Sequence, residues 1–341
     1  TSADDVGMAM RVIFGVFGLS VATVASAGFE PYLGWATVGD PGNRTPTIQE
    51  APRFFPPFRP PEFNVGSVDY EFRISKAEIV IDQYMDFLDI YQRYHYDGPG
   101  GAGLTGSFIF DVGVNPDGTR NYDVGDVRRQ VPIQIAFPVA QAYCNWLHND
   151  RGTDFEDFTT GAYDLQDFFA SDNDADLVPV TREPDARYWV PSFDELTKAS
   201  FWDPEKNDGE GGYWRYGISS DAAPIYDLPE NGGQSSAATD AILPVGSYPD
   251  ATSPWGLFDV SGTYEEWSSG VVLDTEIIFR TGSGYFNSVR GATRRDTLGE
   301  FRSGSFIFSG NAFRIATNVP APGTLLGVAC LGVLAGTRRR R

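Results

Sequence analysis

Few side chains in this sequence are of the kinds that carry redox, nucleophilic or metal chemistry. Its 341 residues include 2 cysteines and 2 histidines. Cys330 stands in an apolar run near the C-terminus, which leaves Cys144 alone in the body of the chain. An internal disulfide in the body is therefore excluded, although an exported chain would permit one. Cys144 falls on the apolar side of a helical pattern, beside Tyr143 and Trp146, where a buried structural thiol is the expected role. His95 and His148 each fall at or just past the end of a helical pattern, where capping or exposure outweighs metal binding. Composition leaves a Ser-His-acid arrangement open, but no nucleophile motif accompanies either histidine.

Oxygen ligands are more plentiful. In "SDNDADLVPVTRE", Asp172, Asp174 and Asp176 alternate, and Glu183 takes the twelfth place of an EF-hand-like count. Leu177 stands where that loop needs glycine for its sharp turn, and Pro179 interrupts it, so a solvated acidic loop is the stronger expectation than calcium. The stretch "EGGYWRYGISSDAAPIYDL" offers Tyr213, Trp214 and Tyr216, whose rings could stack on sugars or pack on a partner. Binding tends to live on loops carried by a rigid scaffold, but burial of these rings is an equal expectation. Arg290 and Arg294, in "VRGATRRD", are the cationic ligand-binding candidates, and a cleft beside Arg290 to Asp296 is the feature to look for.

The elements that must position these residues show in the periodicity. "VDYEFRIS" alternates through Tyr70, Phe72 and Ile74, as a strand does. Tyr84, Phe87, Leu88 and Tyr91 then take helical spacing, with Asp82 as the expected N-cap. "PVAQAYCNWLHN" places Val139, Ala142, Tyr143, Trp146 and Leu147 on one face of a second helix. Ser192 with Glu195 three residues later is a capping box that opens a third. Glycine-punctuated loops occupy much of 203–240, and short β runs such as "EIIFRTG" and "GSFIFSG" come after them. The proline-rich "APRFFPPFRPPEF" reads as an extended loop lying on the domain. No repeat or second composition regime divides the chain, so the reading is one loop-rich α+β domain over residues 29–318.

Both ends fall outside that domain. From Met10 to Ala27 the order is Arg11, an apolar run, then Ala25-Ser26-Ala27, which reads as a secretory signal with an upstream extension over residues 1–27. Residues 319–341 carry Val319-Pro320-Ala321-Pro322, a short apolar stretch from Leu325 to Ala335 and four arginines. That order resembles a PEP-CTERM sorting tail, with Ala321 in place of the usual Glu. The resemblance implies an exported protein of the cell envelope, surface or extracellular matrix, held in the membrane only transiently through this tail. A formal net charge of −20 offers no basic surface for nucleic acid and fits solubility outside the cell.

Four segments, in order, resemble the sulfatase-modifying-factor family, whose best-known members are formylglycine-generating enzymes. "FRISKAEIVIDQYMDFLD" matches the family's opening in Lys76, Glu78, Tyr84, Phe87 and Leu88. "PVAQAYCNWLHN" is similar to its Tyr-x-Asn-Trp-Leu helix, and "YWVPSFDELTKASFWDP" to its third motif through Pro191, Glu195 and Ala199. "GLFDVSGTYEEW" is similar to the family's Gly-Leu-x-Asp…Gly-Asn-Val-Trp-Glu-Trp signature, and "VRGAT" and "NAFRIAT" to the two short motifs that close the domain. The likeness spans most of residues 32–317 and implies a compact α+β fold, largely irregular and related to C-type lectins.

Enzymes of this family hold copper with two cysteines near the end of the domain, because soft thiolates select Cu(I). Here that region, "VRGATRRDTLGEFRSGSFIFSGNAFRIAT", contains none, so copper is not an expected cofactor. A related oxidase group builds an iron centre from three histidines, more than this chain has. Family members also bind structural calcium partly through the signature loop. Thr263, Tyr264 and Glu266 are the corresponding positions, with Thr263 replacing Asn and Glu265 replacing the first Trp. The expectation is therefore a non-catalytic pseudoenzyme that binds extracellular polysaccharide or an envelope protein. A family enzyme with altered protein-modifying chemistry and a purely structural surface component are the alternatives.

Overall fold

The first helix begins without a side-chain cap because backbone groups supply what a cap would. The N–H groups of Ile81 and Asp82 donate to the carbonyls of Val131 and Arg129 at 3.0 Å each, so the first turn's orphan donors are already satisfied. The helix, α1, runs Ile81–Tyr91 with Val80 at its N-cap. Asp82 is therefore not the cap; it sits in the first turn and pairs with Arg129 at 2.7 Å. In this computed structural model the described residues are 28–51, 65–94, 108–125, 128–171, 175–272, 275–285, 287–290, 292, 296, 298, 302–303 and 310–318. The segments expected to be signal and tail, most of the proline-rich stretch, His95, Asp172, Asp174, Arg294, Cys330 and nearly all of "GSFIFSG" lie outside them.

The fold mixes helices with small antiparallel sheets. The principal sheet joins β1 (Trp35–Val38), β2 (Phe72–Ser75), β11 (Ala316–Thr317) and β5 (Tyr188–Trp189) in that order. Ala316 stands opposite both Ile74 and Trp189, so the first and last strands of the body share one sheet. A hairpin of β3 (Phe110–Val114) and β4 (Arg120–Asp123) stands apart, with a register shift between Asp111 and Gly113. β6 (Trp202–Asp203) pairs with β7 (Gly212–Tyr213), and β8 (Glu266–Val272), β9 (Thr275–Thr281) and β10 (Arg302–Ser303) form the remaining sheet. β9 coincides with the expected "EIIFRTG" run.

The second helix, α2 (Phe137–His148), differs from the amphipathic reading, since every residue from Phe137 to Leu147 is buried. Its polar members are held by backbone. Asn145 donates to the carbonyls of Phe158 and Tyr163 and accepts from Tyr163 N–H at 2.7 Å, while Gln141 donates to Pro179 O. Satisfied in this way, amides can face the interior at little cost, and the helix becomes the centre of the core. Tyr84, Phe87 and Tyr91 of α1 meet Tyr143, Trp146 and Phe158 in a cluster of edge-to-face and tilted rings. Two single turns, α3 (Glu156–Thr159) and α4 (Gln166–Ala170), complete this side. Among the described residues no helix is long and apolar enough to cross a membrane.

Helix α5 (Phe193–Phe201) opens on the expected box: Glu195 N–H donates to Ser192 Oγ at 3.1 Å and Ser192 N–H to Glu195 Oε2 at 2.7 Å. The same buried carboxylate also accepts from Trp189 Nε1 and Tyr70 OH and lies 3.3 Å from Arg182. One side chain thus caps a helix and ties together three distant segments. Further along α5, Lys198 is fully buried and its ammonium donates to the carbonyls of Asp40 and Val68, as a cation in a carbonyl cage would sit.

Candidate functional site

The signature "GLFDVSGTYEEW" forms a tight, largely buried loop with four residues at positive φ, Gly256 at 80°, Asp259 at 53°, Gly262 at 116° and Thr263 at 46°. A Cβ on Gly262 would lie 2.9 Å from Ser236 Oγ and 3.0 Å from Ser235 Oγ, so glycine is required there. Thr263 is β-branched and strained in this region, where asparagine is at ease. Its N–H donates to Ser236 Oγ at 2.8 Å and its hydroxyl lies 3.1 Å from the same atom, which holds it in place.

The three calcium candidates of this loop face different partners. Thr263 is engaged by Ser236. Tyr264 is buried, packs edge-to-face on Tyr285, and its hydroxyl has no hydrogen-bond partner among the described residues. Glu266 commits both carboxylate oxygens to Arg314, Nε to Oε2 and Nη2 to Oε1, at 2.9 Å each. Arg314 has no exposure and also donates to Lys76 O and Phe258 O at 2.6 Å each. Glu78 stands 3.6 Å from the same guanidinium, also fully buried, and burial raises its carboxyl well above the usual range. Asp259 belongs to this group and is pushed up to about 6, first by burial, while Gly246 N–H and Arg314 act against the shift. Asp176, the one described member of the alternating aspartates, is exposed on a short turn beyond α4.

On its other side the loop meets a cluster of hydroxyls around Asp296. Ser261 Oγ makes a very short hydrogen bond to Asp296 Oδ2, and Tyr226 OH donates to the same oxygen at 3.0 Å. Ser235 Oγ lies 3.0 Å from Ser261 Oγ and also donates to Ser261 O. Asp296 is 4% exposed. Burial pushes its carboxyl up to about 6, against the lowering effect of Ser261, Ser283 and Tyr226. These contacts join the signature loop, the loop after the aromatic stretch and the segment after Arg290. Leu298 N–H adds a bond to Arg215 O at 2.8 Å, so that segment is stitched to the aromatic stretch as well.

The aromatic candidates divide. Tyr213 is fully buried, its hydroxyl accepting from Asn43 Nδ2 and donating to Gly66 O at 2.8 Å each, and Tyr216 is 5% exposed. Neither ring is presented to a ligand. Trp214 is half-buried, its Nε1 donating to Asp203 at 2.9 Å, and the Lys206 ammonium lies 3.9 Å from its ring centroid. Lys206 in turn bonds Asp221 at 3.1 Å. The half-exposed indole thus lies with the Lys206 ammonium over its ring and with Asp203 at its edge, a cluster of polar groups that could meet a ligand's hydroxyls. Arg290 is exposed on the segment that leads to Asp296.

The thiol and the described histidine are structural. Cys144 has no exposure, and burial raises its thiol far above the ordinary value, so the thiolate needed for chemistry is suppressed. His148 ends α2, and its Nδ1 accepts from Arg187 N–H at 3.2 Å. Burial lowers its pKa, which keeps the acceptor form.

Sequence reasoning missed Asp296, Ser261, Ser235 and Tyr226 as a group, because their contacts span 26 to 70 positions with no local spacing. The Asn43 to Tyr213 bond, across 170 positions, was equally silent, although the "GDPGN" segment that contains Asn43 could be singled out. Compared with protein-family models and with characterised proteins, the chain matches none.

Proposed function

We propose that this chain is an exported binding domain with the formylglycine-generating-enzyme-like, C-type-lectin-related fold, no longer equipped for thiolate chemistry, that holds extracellular polysaccharide. Two observations support the fold reading. Residues carrying the resemblance meet inside the protein, Glu78 from the first motif and Glu266 from the fourth both facing Arg314 from the last. Glu195 of the third motif is the buried tie between α5, Trp189 and Tyr70. Motifs held in order by a shared frame would be expected to converge in this way.

The observation that carries the binding reading is Trp214. Of the three candidate rings Tyr213, Trp214 and Tyr216 it alone is half-exposed, and Asp203, Lys206 and Asp221 surround it with the groups that bind sugar hydroxyls. Any calcium in the signature loop would have to take Glu266 from Arg314, so the binding reading does not route through a metal. A glycan array probed with the wild-type protein and with Trp214→Ala tests it. Binding by the wild type that the variant loses, with unchanged circular dichroism, is the expected result. Equal binding by both proteins would remove Trp214 from the site, and silence from both would leave a structural surface role as the better reading.

A further inference from the structure

A concave site whose lining does not include Trp214 lies between the end of α1 and the β3–β4 turn. It is a cleft of about 420 Å³ lined by Gln92, Arg93, Asp117, Gly118, Thr119 and Arg120. That volume falls within the roughly 300–1,000 Å³ usual for small-ligand sites. In a chain of net charge −20, two guanidiniums bordering one cleft form a local exception.

The cleft's frame is fixed by its own bonds. Gln92 is 5% exposed and its Oε1 accepts from Arg120 N–H at 2.8 Å, which ties the hairpin to the helix end. Arg120 pairs with Asp111 at 3.0 Å, holding the guanidinium in place on the hairpin. Asp117 Oδ1 accepts from both the N–H and the hydroxyl of Thr119, at 3.0 and 2.6 Å, and these bonds lower its carboxyl, which keeps it an acceptor. Gly118, at φ +89°, would meet nothing within 4 Å if it carried a Cβ, so the turn leaves the cleft open. Arg93 is exposed and interacts electrostatically with Asp89 and Asp117.

We propose that this cleft is a subsite for an acidic sugar residue, with Arg93 and Arg120 taking the carboxylate and Asp117 and Thr119 the neighbouring hydroxyls. Guanidinium matches a planar carboxylate in a way that ammonium does not. The acceptor at Asp117 disfavours a bare anion but suits a ligand that carries hydroxyls beside its charge. Repulsion from acidic groups more than about 8 Å away is largely screened at physiological ionic strength, whereas Asp89, Asp111 and Asp117 offset part of the attraction of the two guanidiniums locally. The choice of a saccharide rests on the proposed polysaccharide binding; the cleft itself is independent of Trp214.

Titration calorimetry on the full chain tests the subsite with a disaccharide carrying one uronate, its carboxyl-reduced neutral form, and acetate. The expected result is affinity for the acidic disaccharide at least tenfold above the neutral form, falling as salt rises. Arg93→Gln, which removes an exposed side chain, should abolish that preference, and Trp214→Ala should leave it intact. Equal affinity for both disaccharides, an unchanged Arg93→Gln, acetate competing as well as the sugar, or no binding at millimolar concentration would each overturn the subsite. Loss of long-glycan binding in Trp214→Ala alone, with the acidic preference absent from the wild type, would sink the subsite and spare polysaccharide binding at Trp214.

Discussion

Replacing Asp296 with Asn should change how stability depends on pH more than it changes stability itself. The carboxyl of Asp296 is raised from 3.8 to about 6 in the folded protein, chiefly by burial. Between those values the folded state binds more protons than the unfolded one, so stability falls as pH rises from about 4 to about 6 and is level above. A shift of about 2 units corresponds to about 3 kcal/mol, absent at pH 4 and present in full at pH 7.5 as a destabilisation. Asn keeps an acceptor for Ser261 and Tyr226 while carrying no charge, so Asp296→Asn removes this pH-dependent part. Urea unfolding at pH 4, 5, 6 and 7.5 reads it. The wild type should lose stability across that range, and the variant should lose about 3 kcal/mol less. Asp194 and Asp259, also raised to about 6 by burial, leave a residual slope in both proteins. Parallel profiles for wild type and variant would show that Asp296 is already well solvated by its hydroxyl donors, and the burial argument would fail.

The same contacts set three other expected outcomes. Glu266→Gln should cost about 3–5 kcal/mol in urea unfolding, because it strands Arg314 in the interior; a loss under about 1 kcal/mol would mean the guanidinium finds other partners. Thr263→Asn should raise stability by about 1 kcal/mol by relieving a β-branched residue at φ 46°, and a loss instead would show that the Ser236 contacts outweigh the strain. The Cys144 thiol should resist a thiol reagent in the native protein and react at the rate of unfolding; prompt labelling would contradict its burial.

What the sequence displayed was mostly local. The capping box at Ser192, the apolar spacing of Tyr84 to Tyr91 and the β9 run all depend on neighbours within a few positions, and all stand where expected. The one-faced reading of α2 fails because Gln141 and Asn145 look solvent-facing, whereas carbonyls far along the chain satisfy them in the core. Asp82 looks like a cap because the 129–132 segment that supplies carbonyls to α1 is invisible to helical spacing. At the candidate site the individual residues Trp214, Glu266 and Arg290 could be picked out by type. The Asp296 cluster and the Glu78–Glu266–Arg314 group exist only through long-range folding, and that folding also turned Tyr213 inward onto Asn43.

The proposed binding role rests on a domain without usable sulfur: Cys144 is buried in the core, and the region that would correspond to the paired thiols of formylglycine-generating enzymes, which the chain resembles, has no cysteine. Oxygen uptake by the copper-supplemented protein, measured with a cysteine-bearing peptide as substrate, tests this most directly. No uptake above that of the peptide and copper alone is expected. Catalytic, peptide-dependent oxygen consumption that persists in a Cys144→Ala variant would contradict it.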